Sequence, residues 1–126
     1  MEMRRPPPDN SRIVQSDLAP LLDRIRLLVD GQVEGAPEHL LERMEHTLTD
    51  GYAHALALEG ESIRIERQIG QAVTRIKEGD EPSGLDHLTE RLASTERELS
   101  ALRTHLDSLR DRTEDVRGAA AALAPR

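Results

Sequence analysis

The 126-residue chain has no cysteine, no phenylalanine and no tryptophan, and Tyr52 is its one aromatic side chain. Without cysteine there is no disulfide, no thiolate metal ligand and no cysteine nucleophile. Aromatic rings carry much of the buried area of a compact core. A chain lacking them has to bury Leu, Ile, Val, Met and Ala along narrow seams, which is the habit of coiled coils and long helices. No apolar run approaches the ~18 residues of a membrane-spanning helix. The first ten residues hold Arg4, Arg5 and Pro6 to Pro8 with no apolar stretch behind them, so they do not read as a secretory signal. Lysine is almost missing as well: Lys77 stands alone among arginines.

Charge is plentiful. Asp, Glu, Lys and Arg make up 33% of the chain, for a net charge of −7. A nucleic-acid binder carries a basic patch or a high pI, and anionic membrane surfaces repel an acidic protein. The expected partner is therefore another protein or a second copy of the chain, with neither nucleic acid nor membrane. A cysteine-free acidic chain fits the reducing cytoplasm.

Along the chain, residues 1–14 read as a disordered Pro-rich arm, because three successive prolines favour polyproline II and cannot seed a helix. A first helix is expected over about 16–31, capped by Ser16, with Asp17 at its positive end and Pro20 early enough to lose no hydrogen bond. Leu18, Leu21, Leu22, Ile25, Leu28 and Val29 fall on one face, and Gly31 is the expected stop. A second helix is expected over about 37–78. Leu41, Leu48, Ala55, Ser62, Ile69 and Ile76 alternate with Met44, Gly51, Leu58, Ile65 and Ala72 in steps of four and three, the coiled-coil spacing. Asp50-Gly51 resembles a turn, but the heptad keeps its register through it, so one continuous helix is expected.

Gly79 to Gly84 form the clearest loop, with Gly79 as helix stop, Pro82 as block and Ser83 as the next cap. A third helix, about 84–118, has its seam at Leu85, Leu88, Leu92, Thr95, Leu99, Leu102, Leu106, Leu109, Thr113, Val116, Ala120 and Leu123. All but Thr95, Thr113 and Ala120 are Leu or Val. Residues 119–126 are an Ala-rich tail expected to fray. The predicted fold is thus all-α, a long antiparallel coiled-coil hairpin with a shorter N-terminal helix alongside, in one helical domain over 15–118. Folding about Glu81 sets Ala55 and Gly51 opposite Leu106 and Leu109, small against large. The intervening Glu and Arg residues, among them Glu59, Glu61, Arg64, Glu66, Arg67, Arg75, Arg97 and Arg103, read as surface ion pairs that fix register.

Tyr52, Leu56, Ile63 and Val73 widen the apolar stripe of the second helix beyond what one partner helix can cover. Tyr52, Leu56 and Ile63 are the candidate partner-binding residues, aromatics being enriched at interface hot spots. The competing expectation is that Tyr52 packs on the first helix of its own chain.

Catalytic signatures are sparse. The histidines, His39, His46, His54, His87 and His105, never stand three or four apart, so no helix offers two imidazoles to one metal. The Glu-x-x-His pair of di-iron bundles is missing, as are the nucleophile elbow and the phosphate-binding glycine loop. The expectation is no enzyme, no cofactor and no metal; a small metal-binding bundle using Glu42, His46 and His105 is the most distant alternative. One spacing is more specific. Glu96, Ser100, Arg103, Asp107 and Asp111 follow one another at steps of four, three, four and four. This resembles the Glu-x3-Ser-x2-Arg-x3-Gln-x3-Asp signature of the RsiG-type anti-sigma factors, which are antiparallel helical hairpins. Asp107 stands where the family has Gln, and the second helix carries no further copy. The resemblance implies a regulator responsive to cyclic-di-GMP, with Glu96, Ser100, Arg103 and Asp111 as nucleotide-binding residues.

Overall fold

A computed structural model of the protein describes residues 10–31, 37–81 and 84–123, apart from the side chains of residues 10–17, 37 and 123. Helix α1 spans Asn10–Val29, α2 Pro37–Lys77 and α3 Leu85–Leu123. Helices α2 and α3, of 41 and 39 residues, run antiparallel as a hairpin. Each is about 60 Å long at ~1.5 Å per residue. Helix α1 packs against both.

The boundaries follow local chemistry. Helix α1 begins at Asn10 rather than Ser16. Pro20 therefore lies inside the helix and not in its first turn; having no N–H, it leaves the Ser16 carbonyl without its helical donor. Gly31 ends the helix at φ 72°, in the left-handed region that favours glycine. The other two loop glycines are equally specific. The Asp80 amide donates to the Arg75 carbonyl at 3.0 Å and the Gly79 amide to Ile76 at 3.1 Å. With Gly79 at φ 105° this is a Schellman cap on α2. The expected cap Ser83 lies outside the described residues. Gly84, at φ 77°, accepts the first helical bond of α3 from the Leu88 amide at 3.0 Å. Helix α2 runs unbroken through Asp50-Gly51, as its heptad register requires, and α3 continues past residue 118 to Leu123.

The core is a three-helix seam at the open end of the hairpin. Leu18, Leu21, Ile25 and Leu28 of α1 meet Met44, Ala55 and Leu58 of α2 and Leu99, Leu102, Leu106 and Leu109 of α3. Leu22 and Val29 pack against this cluster from its edge. Gly51 makes room for Leu106: a Cβ placed there would lie 2.2 Å from Leu106 Cδ2. Toward the loop the hairpin is two helices deep, with Ile65 and Ala72 buried and Ile69, Ile76, Leu85, Leu88 and Leu92 half-buried. Interhelical ion pairs fix the register, Glu59 with Arg103 and Glu45 with Arg117. Both pairs are centred on residue 81, the expected fold point.

Candidate interaction face on the long helix

Helix α1 lies on one flank of α2. Arg24 donates to Asp50 Oδ2 at 3.0 Å and to Thr47 Oγ1 at 3.4 Å. Tyr52, Leu56, Ile63 and Val73 point to the other flank. Their exposures are 45%, 69%, 50% and 36%. Tyr52 therefore does not pack on α1. The three predicted partner-binding residues share one exposed strip instead, which Val73 extends toward the loop. Sequence reasoning saw that the stripe was too wide for one partner helix; the fold decides which edge α1 covers.

The strip has relief. Nothing lies within 4 Å of a Cβ built at Gly70, and Arg67, Gly70, Gln71, Thr74 and Arg75 line an open, mostly apolar depression there. At the other end a groove of about 180 Å³ runs between α2 and α3, lined by Tyr52, Leu56, Glu59, Arg103, Leu106 and Asp107.

On the α1 flank the helices are joined by an ion cluster around one buried carboxylate. The Glu61 side chain is 6% exposed and takes Arg64 Nη2 at 2.8 Å and Arg91 Nη2 at 2.9 Å. The expected surface pair is a buried carboxylate with two guanidinium partners. The signal was weak: Glu61 and Arg91 each stand one residue before a seam position, Ser62 and Leu92. One heptad further from the loop come His54 on α2 and Glu98 on α3. His54 Nε2 and Glu98 Oε2 are both buried without a hydrogen-bond partner among the described residues. Burial raises the Glu98 pKa above the ordinary 4.5, opposed by the Arg97 charge.

The histidine and carboxylate alternative does not assemble. His46 Nε2 lies 3.6 Å from Asp50 Oδ2 rather than beside Glu42, and His105 Nδ1 meets the Ala101 carbonyl at 2.7 Å on α3. Among the described residues no three His, Asp or Glu side chains are placed to hold a metal ion. Glu42 and His46 do border a cavity of about 430 Å³ between α1 and α2, together with Arg24 and Arg43.

Glu96, Ser100, Arg103, Asp107 and Asp111 are all exposed on α3. Arg103 donates to Glu59 across the hairpin, and Asp107 lies 3.7 Å from Arg110. Among the described residues no helix is long and apolar enough to cross a membrane.

Fold and strip together define an all-α helical hairpin with a third helix docked on one flank. No family model, no curated protein and no solved structure matches the chain.

Proposed function

We propose that this chain is a non-enzymatic coiled-coil interaction protein of the cytoplasm, a structural or regulatory adaptor that docks its partner on the Tyr52–Leu56–Ile63 strip of α2. One observation carries the reading: α1 is docked, yet it covers the opposite flank and leaves Leu56 69% exposed between Tyr52 and Ile63. Tyr52, Leu56 and Ile63 follow at steps of four and seven on one helix face, unlike the scattered exposed residues that need no explanation. The test is a photo-crosslinking amino acid in place of Tyr52, irradiated in native cells. A protein adduct to position 52 supports the reading, and its mass identifies the occupant. Irradiation that leaves only unmodified chain ends it.

A second reading, a nucleotide-responsive regulator, is favoured by one feature of the groove beside the strip. Tyr52 and Arg103 line it together, and an aromatic ring and a guanidinium are the groups that stack on a guanine base. Under this reading cyclic-di-GMP raises the melting temperature and Arg103→Ala removes the rise. A flat thermal shift at saturating dinucleotide ends it.

A further inference from the structure

The strip is self-complementary about its midpoint. Ile63 lies at its centre. Leu56, the most exposed of its side chains, is seven residues before Ile63. Gly70, with nothing within 4 Å of its missing Cβ, is seven residues after. Each sits about 10 Å from Ile63 at ~1.5 Å per residue. A protruding leucine and a depression at equal distances on either side of one residue are what a two-fold interface needs, because the same patch must serve both partners.

The charges have the same symmetry. Of the α2 charges near Ile63, Asp50 and Glu61 are taken up on the α1 flank, whereas Glu59 borders the groove with Tyr52 and Leu56 and Arg67 borders the depression at Gly70. Glu59 is four residues before Ile63 and Arg67 four after. Antiparallel pairing sets Glu59 of one copy against Arg67 of the other, twice. Parallel pairing would stack like charges, which is unfavourable.

Resting on the proposed docking strip, we propose that its occupant is a second copy of this chain. The two α2 helices pair antiparallel on a two-fold axis at Ile63, and each Leu56 fills the depression over the partner's Gly70. The symmetric pair is what the strip accepts, and helix α1 on the far flank leaves the approach open.

The full-length chain tests this by sedimentation equilibrium over a hundredfold concentration range. The expected mass is twice the chain mass of 14.1 kDa. Leu56→Glu returns it to the single-chain value. So does Gly70→Gln, which fills the depression while replacing glycine with a better helix former, so lost association cannot come from a damaged helix. A nitroxide on Glu78→Cys, the only thiol in the chain, reads the orientation. Thirty residues of separation along the pair put the two labels about 45 Å apart when antiparallel. Parallel pairing brings them within about 20 Å and overturns the geometry. A single-chain mass throughout, with the Tyr52 photo-adduct on a different protein or within one chain on residues 1–9, overturns self-pairing. With a single-chain mass, the adaptor reading survives the first of those adducts and fails on the second. Dimers that persist in both Leu56→Glu and Gly70→Gln also overturn the proposal.

Discussion

Arg91 of α3 donates to the buried Glu61 of α2 at 2.9 Å, bridging thirty positions of sequence. Arg64 reaches the other carboxylate oxygen of Glu61 at 2.8 Å. The two arginines keep contact with water, their side chains being 32% and 51% exposed, while the Glu61 side chain is 6% exposed. The anion is the member of the cluster that cannot rehydrate in place.

That asymmetry sets the order of two substitutions. Arg91→Met keeps the apolar stem but leaves a buried carboxylate with one partner, at a cost of about 1–3 kcal/mol. Glu61→Met removes the buried charge, and the freed arginines turn to solvent, so it is expected to cost less than Arg91→Met. Urea unfolding of the two variants decides the order. A larger loss for Glu61→Met would mean that the carboxylate is held for its attraction to both arginines and not merely tolerated.

Two glycines of α2 should respond with opposite sign. Gly51→Ala puts a methyl 2.2 Å from Leu106 Cδ2 and 3.3 Å from its Cγ, so the buried Leu106 side chain has to leave its place in the seam. Overpacking of this kind costs about 1–3 kcal/mol and outweighs the helix-propensity gain of up to ~1 kcal/mol. Gly70→Ala meets no atom within 4 Å, so only the propensity gain of up to ~1 kcal/mol is left. Thermal melts at a concentration where the chain is monomeric should place Gly51→Ala below the parent and Gly70→Ala above it.

Glu98 makes stability depend on pH. Burial holds its folded pKa above 4.5, so above that value the folded chain binds more protons at this site than the unfolded one. Stability then falls as pH rises through the window between the two pKa values. Glu98→Gln removes the charged form. It is expected to melt higher than the parent at pH 7, with the difference closing once the carboxyl is protonated in both states. Equal melting temperatures at pH 7 would show that the carboxylate is hydrated in solution.

The exposed strip and the buried seam should also separate cleanly. Leu56→Gln removes a side chain that is 69% exposed and should change monomer stability by no more than ~0.5 kcal/mol. Leu102→Ala empties a site that is 0% exposed and should cost about 2–5 kcal/mol. Chemical denaturation of both, beside the association measurements, tells a docking residue from a core residue.

The amino-acid sequence by itself determined the three helices, the hairpin and its register. The heptad steps of α2 and α3 name one seam each, the loop at Gly79 to Gly84 forces antiparallel pairing, and folding about Glu81 sets Gly51 and Ala55 opposite Leu106 and Leu109. These are local and periodic signals, legible without tertiary information. The start of α1 was less legible: Ser16 has the chemistry of a cap, yet the helix begins at Asn10. Tertiary structure alone decided which edge of the wide α2 stripe α1 would cover. Either flank offers apolar residues to a third helix; α1 takes the flank with Thr47 and Asp50, which accept Arg24, and Tyr52, Leu56 and Ile63 are left to solvent. Only the fold, too, could turn Glu61 from one carboxylate among many into a buried anion between two helices, since burial depends on a neighbour thirty residues away.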